Sequence, residues 1–218
     1  MNLKLLQLAS PSLPVGAYSY SQGLEAACEA RLVRDEASAA AWIGDVLEIA
    51  ICGMEAPVLL RLVEGWMRDD RAAVARWNGD FLASRESAEL RAETLQMGYS
   101  MRRLLADLGL DAAPLETTED LTYPAAHAFA IAAWRIDPRE ALEAYVFAWA
   151  ENQVLAAVKC VPLGQAAGQR TLLALAARIA HVAARAASLR DDELTNFAPG
   201  LAVLSARHET QYSRLFRS

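Results

Sequence analysis

The sequence predicts an all-α protein, a single-domain bundle of about eight to ten helices that spans residues 1–218. Alanine, the residue with the highest helix propensity, makes up about a fifth of the chain. Apolar residues recur at the helical period along most of the chain, and little of it shows the alternation of period two that strands require. With 54% hydrophobic and 22% charged residues, the chain has the composition of a globular protein. Several helices of ordinary length in 218 residues fit one bundle.

The N-terminal half is expected to hold four helices before residue 85. We place them at residues 20–31, 36–52, 57–67 and 71–84. Ser19 and Gln22 could form a capping box at the first of them.

A fifth helix is expected over residues 85–108, because an apolar stripe runs along this segment. Gly109 gives it a plausible end, and the Asp, Pro and Thr residues of 111–122 indicate a loop. Glu93 is expected to lie off the stripe with other charged residues. The stripe residues are Leu90, Met97, Met101, Leu104 and Leu108.

Two long helices are expected in the C-terminal half. Asp137 is a candidate N-cap, followed by Pro138 at the first helical position and Glu140 three residues after the cap. This helix, to about residue 161, is apolar on most sides, as is typical of the buried centre of a bundle. The next helix, over residues 163–188, has a stripe of Leu172, Leu175, Ile179 and Val182.

Charge and cysteine content exclude several classes of protein. The net charge of −6 argues against a nucleic-acid binder, which would carry a basic field. Cys28, Cys52 and Cys160 are too widely spaced for a zinc ribbon or a disulfide framework, so we expect free thiols in a reducing compartment. The N-terminal apolar run is too short for a signal peptide, and no segment suits a membrane span. We therefore expect a cytoplasmic protein.

No familiar catalytic or metal-binding motif occurs in the chain. Phosphate-binding loops, dinucleotide fingerprints, zincin motifs and nucleophile elbows are all missing from the sequence. His127 and His181 fit a core or a helix face better than a ligand set, and Glu140 and Glu143 fit a solvated face. We expect no enzyme and no bound cofactor or metal, although a site assembled only by folding stays an alternative.

Residues 5–25 form the first segment with a candidate function. Pro14 fixes the backbone φ, Gly16 permits a close backbone approach, and Tyr18 and Tyr20 follow directly. The segment could be a simple turn between helices or an exposed binding loop.

Residues 152–170 form the second segment with a candidate function. Asn152 and Lys159 share one face of a mostly apolar helix, where polar groups need partners. Lys159 could alternatively serve only the helix dipole in the last turn. Gly164 and Gly168 would let another backbone pack closely, and Gln165 suits hydrogen bonding across a helix contact.

Residues 206–218 form the third segment with a candidate function. Tyr212, Leu215 and Phe216 alternate with Arg214 and Arg217, which is the composition of an interaction hot spot. A disordered tail is the alternative, but we favour a segment that orders on a partner.

These three segments resemble the signature regions of the UreF family of urease accessory proteins. The resembling blocks are LLQLASPSLPVGAYSYSQGLE, AWAENQVLAAVKCVPLGQAAGQR and LSARHETQYSRLFRS, in that order along the chain. The resemblance covers nearly the whole chain. One departure is Ala17, which stands where a second glycine after Gly16 is expected.

The resemblance implies an all-α homodimer that binds a UreD/UreH-type scaffold protein and, through it, the UreG GTPase and apo-urease. The family acts as an adaptor that couples nucleotide turnover to nickel insertion, not as an enzyme. Carried over by position, the candidates for GTPase modulation are Lys159, Gln165 and Arg170. The partner-binding candidates are Tyr212, Arg214, Leu215, Phe216 and Arg217, with His208 and Glu209 just before them.

Two other functions stay open at this point. The first is a chaperone that binds nickel directly. The second is an all-α enzyme, which a pocket joining His208, Glu209 and Lys159 would favour.

Overall fold

The computed structural model describes residues 2–218, whose regular elements are all helices, so the predicted all-α class is confirmed. When α3, a π-helical stretch and α4 are counted as one continuous run, this described part contains ten α-helices. The elements are α1 Leu3–Leu8, a 3₁₀ turn Ala17–Ser19, α2 Leu24–Glu29, α3 Glu36–Val46, the π stretch Leu47–Glu55, α4 Ala56–Met67, α5 Arg71–Ala83, α6 Ala88–Asp107, α7 Ala113–Glu116, α8 Tyr123–Ala133, α9 Pro138–Cys160, α10 Gln165–Ala186, a 3₁₀ turn Asp191–Glu193 and α11 Pro199–His208.

The predicted break between residues 52 and 57 is wrong, because the chain stays helical from α3 through α4. Pro57 has no N–H to donate to the carbonyl of Gly53, four residues earlier, and its ring crowds that carbonyl. The wider π turn accommodates the ring, and Thr195 N–H donates to the Gly53 carbonyl instead, at 3.0 Å.

The first predicted helix is much shorter than expected, since α2 begins only at Leu24. Gln22 and Gly23 both have left-handed backbones, with φ of 51° and 81°, so the expected capping box of Ser19 and Gln22 does not form. The extended chain before α2 leaves the N–H of Ser21 free to bond elsewhere, and it donates to the carbonyl of Ser218.

The fifth predicted helix is confirmed in position, with α6 capped by the Ser87 hydroxyl and ended at Gly109, whose φ is 82°. Of its expected stripe, Leu90, Met97 and Met101 are buried, whereas Leu108 is 43% exposed. The expected loop over residues 111–122 contains the short helix α7.

The two long helices form as predicted and pack along each other. Asp137 caps α9 through hydrogen bonds from the N–H groups of Arg139 and Glu140. A Cβ at Gly168 would lie 2.9 Å from Val158 Cγ2, so α9 packs closely against Gly168, but through a side chain and not through the backbone as expected. Gly164 has open space around it, and the same expectation is wrong there.

Two apolar clusters organise the molecule. The larger one is built mainly around α4, α8 and α9, and no helix was predicted over the residues of α8. The smaller cluster joins α2, the end of α9, α11 and Phe216, and includes Leu24, Ala157 and Leu204. No helix in the described residues is both long and apolar enough to traverse a bilayer. The smaller cluster is where the three segments of interest meet.

Candidate functional site

The C-terminal tail, residues 209–218, lies against the body of the protein. Arg217 N–H donates to the carbonyl of Ser19 at 2.8 Å, and Ser21 N–H donates to the carbonyl of Ser218 at 3.0 Å. The tail thus pairs by its backbone with the N-terminal loop, and the first and third segments form one structural unit.

Glu25, on α2, is the main anchor of the tail. Its carboxylate accepts the N–H groups of Leu215 and Phe216 at 2.7 and 3.0 Å, and it is buried. A buried carboxylate with two backbone donors is a strong, charge-assisted contact. Glu25 therefore holds the backbone of the tail at two consecutive residues.

His208, the last residue of α11, is fully buried between two glutamates. Its Nε2 lies 3.1 Å from Glu25 Oε2, and its Nδ1 lies 2.6 Å from Glu89 Oε2. The imidazole of His208 therefore bridges the two glutamates and links α11 to α2 and α6. Arg214 donates to the other oxygen of Glu89 at 2.6 Å, which ties the tail to α6 as well.

Glu93, on α6, forms the third anchor. It accepts hydrogen bonds from Gln22 Nε2 at 2.6 Å and from the Ser218 hydroxyl at 2.8 Å. Burial raises the pKa of Glu93 to about 7, although these two bonds favour the ionised form. The expectation that Glu93 lies off the apolar stripe is wrong: it is three residues after Leu90 and four before Met97, so it shares their buried face.

The seven expected partner-binding residues separate into an exposed and a buried group. Tyr212 and Leu215 point outward with exposed fractions of 106% and 70%, whereas His208 and Phe216 are 0% and 6% exposed. His208 and Phe216 are buried and hold the tail in place, and their expected role in partner binding stays a prediction. The remaining three, Glu209, Arg214 and Arg217, are exposed. Of these, Glu209 also accepts the N–H of Ala88 at the start of α6, at 2.8 Å.

Lys159 joins the second segment to the tail. Its Nζ lies 5.2 Å from the centre of the Phe216 ring, in the geometry of a cation–π contact, and the side chain is exposed. Asn152, on the same face of α9, donates to the carbonyl of Tyr20 at 3.3 Å, so the expected polar partner exists.

The other two candidates in this segment lie at the start of α10. Gln165 is exposed, and Arg170 forms a two-pronged ion pair with Glu36 of α3 at 3.0 and 2.6 Å. The Arg170 guanidinium lowers the pKa of the Glu36 carboxyl. Arg170 thus links α10 to α3 and does not contact the tail.

The N-terminal loop adjoins the tail on the other side. Gly16 has a φ of 84°, a left-handed backbone that favours glycine, whereas Ala17 starts an ordinary 3₁₀ turn and needs none. Tyr18 is 64% exposed and lines one surface depression together with Pro14 and Arg217. Tyr20 is buried and donates to Gln96 at 2.6 Å, and burial raises the pKa of its phenol.

A second buried polar cluster lies beneath this loop, and sequence reasoning missed it. Glu55 accepts the Tyr145 hydroxyl at 2.7 Å and pairs with Arg85 at 3.4 Å, and all three line a cavity of about 110 Å³. The sequence around Glu55 and Arg85 has no pattern that would predict a buried ion pair.

The residues proposed for alternative sites do not converge. His208 is enclosed by glutamates, Glu209 caps α6, and Lys159 covers Phe216. His127 is buried among aromatic rings, and burial lowers its pKa to about 3. Within residues 2–218, no three His, Cys, Asp or Glu side chains are grouped as a metal ion would require.

The family model and the individual relatives that match this chain all carry the name UreF or UreEF. A sequence model of the family described as UreF matches residues 33–176. The chain is 57% identical to the urease accessory protein UreF of Azoarcus sp. (strain BH72), over 99% of this chain and 95% of that protein. It is 54% identical to the UreF of Dechloromonas aromatica (strain RCB), over 99% and 96%. It also matches a bifunctional urease accessory protein UreEF of Bordetella bronchiseptica at 53% identity, over 98% of this chain and 51% of that protein.

Proposed function

This chain belongs to the UreF family of urease accessory proteins, and we propose that it is a non-catalytic adaptor in the assembly of the urease nickel site. In this role it binds a UreD/UreH-type scaffold protein through its C-terminal tail. With that scaffold it recruits the UreG GTPase and modulates its turnover, so that nickel enters apo-urease. The adaptor is a cytoplasmic homodimer.

The observation that carries this proposal is the outward face of the tail. Tyr212 and Leu215 are well exposed, and the backbone of residues 215–217 is held by Glu25 and Ser19. Together with Arg217 and Tyr18 they make the tail face, an exposed set of aromatic, aliphatic and arginine side chains. Such groups dominate the energy of protein interfaces, and fixing them beforehand lowers the entropy cost of binding.

The relative named as a bifunctional UreEF protein supports the same role. In that protein a region similar to this chain forms about half of one longer polypeptide. A fusion of this kind fits a chain that works in contact with other accessory proteins, because covalent linkage raises the effective concentration of neighbours.

Leu215→Asp should weaken binding to the scaffold protein by about 10–100-fold, because it places a charge in the apolar part of the interface. The measurement is co-purification and titration of the scaffold protein with the variant. Leu173→Asp on α10 is the matched control, since Leu173 is 77% exposed and lies outside the tail face. Full binding by Leu215→Asp, or equal loss in both variants, would count against the tail face.

Deletion of residues 212–218 is a less specific version of this test. It removes Tyr212 and Leu215 but also Phe216, which fills the smaller apolar cluster, and Ser218, which bonds Glu93. We therefore expect the deleted form to stay helical, to lose the scaffold complex and to melt at a lower temperature. The point variant separates binding from stability.

Lys159→Met should change the GTP turnover of the complete complex while leaving the fold intact. Methionine keeps an apolar stem over Phe216 but removes the charge, so a purely structural lysine would tolerate it. Lys159→Arg is the control that keeps the cation. Equal GTP turnover in the Met, Arg and unmodified chains would show that Lys159 serves only packing.

Direct nickel chaperoning is distinguished by equilibrium dialysis of the purified chain. Micromolar, histidine-dependent nickel binding would replace the adaptor proposal by this alternative. Turnover of a small substrate by the isolated chain would likewise favour an enzyme.

A further inference from the structure

The three free cysteines differ in their surroundings. Cys52 is buried in the π stretch, where its thiol approaches the carbonyl of Val182. Cys28 and Cys160 are half-buried, and both pack against the smaller apolar cluster that contains Phe216. Two of the three cysteines are therefore partly exposed, and these two lie against the same cluster.

Helix packing brings Cys28 and Cys160 to the same small apolar cluster although 131 residues separate them in the chain. Cys28 is in the last turn of α2, and Cys160 is the last residue of α9, against which α2 packs. Both side chains pack against the same small apolar cluster, and each thiol perturbs the pKa of the other, so the two sulfur atoms are neighbours. Two neighbouring, half-buried cysteines at the ends of two packed helices are the arrangement from which a disulfide can form.

We propose that Cys28 and Cys160 form a reversible intramolecular disulfide when the protein meets hydrogen peroxide. The Cys28 thiolate attacks one peroxide oxygen, the O–O bond breaks, and the departing hydroxide takes up a proton to give water. Cys28 is left as a sulfenic acid. The Cys160 sulfur then attacks the Cys28 sulfur, and the Cys160 proton leaves with the sulfenic hydroxyl as a second water. Two thiols lose two electrons in total, and one peroxide gains them.

The local environment assigns the order of these two steps. The hydrogen bond with Cys160 lowers the pKa of the Cys28 thiol, against the opposing effects of burial and of Glu25. The same hydrogen bond and burial raise the pKa of Cys160. Cys28 is therefore the thiol that reacts with the peroxide, and Cys160 is the thiol that resolves the sulfenic acid.

The disulfide would join the two elements that hold the tail in place. Glu25, which accepts the tail N–H groups, lies one helical turn before Cys28, and Lys159, which covers Phe216, is next to Cys160. Oxidation would thus fix α2 to the end of α9 directly under the tail.

The test treats the purified full-length chain with a small excess of hydrogen peroxide and follows intact mass and free thiols. We expect a loss of about 2 Da, a fall from three free thiols to one, and full reversal by dithiothreitol. Trypsin without reductant should release peptide 5–31 linked to peptide 160–170. Cys52→Ser is the matched control and should still lose about 2 Da.

Cys28→Ser and Cys160→Ser should each abolish the 2 Da loss, and the Ala variants at both positions repeat the test with a different side chain. A linked peptide that contains residues 35–61, disulfides only between separate chains, or oxygen addition without linkage would each overturn the proposal. So would three free thiols that survive the treatment.

Discussion

Replacing Glu25 with alanine should free the C-terminal tail and lower the free energy of unfolding by about 3–5 kcal/mol. The carboxylate accepts the N–H groups of Leu215 and Phe216 and faces the imidazole of His208. Alanine would leave these donors without their acceptor in a buried place, and the whole desolvation cost of each group would then count against folding.

Two measurements check this expectation. Urea unfolding gives the change in free energy, and limited trypsin digestion reports the tail, since Arg214 and Arg217 become cleavable when it detaches. Glu29→Ala is the matched control, because Glu29 is an exposed glutamate on the same helix. Glu25→Gln should fall between the two, since its amide oxygen still accepts one N–H. A tail as resistant to trypsin in Glu25→Ala as in the unmodified chain would contradict the anchoring role of Glu25.

The sequence was informative where one local signal determines the structure. Asp137 followed by Pro138 marked the start of α9, and Gly109 marked the end of α6, since capping and left-handed backbone geometry depend on neighbouring residues alone. The apolar stripe of α10 was also confirmed, because Leu175, Ile179 and Val182 are buried. The all-α class followed from many such local signals.

Local sequence signals could not predict backbone conformations that depend on residues far away in the chain. The helical run through Pro57 exists because Thr195 supplies a donor from another part of the chain. Gln22 leaves the helix because the backbone before α2 pairs with the tail. Propensity is a weak predictor where tertiary contacts of this kind decide the conformation.

For the candidate site, the sequence identified the segments but not what holds them together. The blocks around Tyr18 and Lys159 both meet the tail, Tyr18 beside Arg217 and Lys159 over Phe216. The anchors Glu25, Glu89 and Glu93 were missed, since acidic residues are mostly exposed and no pattern marks those that are paired inside. Only Glu93 carried a readable signal, its place on the stripe between Leu90 and Met97.

Glu93→Gln should make the stability of the protein less sensitive to pH. Burial raises the pKa of Glu93 from 4.5 to about 7, so the folded state holds this proton more tightly than the unfolded state. The resulting stabilisation is fully present below pH 4.5 and is lost as the pH rises through about 7. Glutamine does not titrate, so the variant should gain stability relative to the unmodified chain between pH 5 and pH 8, by on the order of 2–3 kcal/mol.

Urea unfolding of both proteins at pH 5 and pH 8 measures this difference, and taking the variant against the unmodified chain cancels the titration of all other carboxyls. Glu143→Gln, at an exposed position on α9, should show no such gain. The amide that Glu93→Gln introduces can still accept one of the two hydrogen bonds and donate to the Ser218 hydroxyl, so the tail should stay seated. A stability difference that is the same at both pH values would mean that Glu93 stays ionised, and that its bonds to Gln22 and Ser218 outweigh the cost of burial.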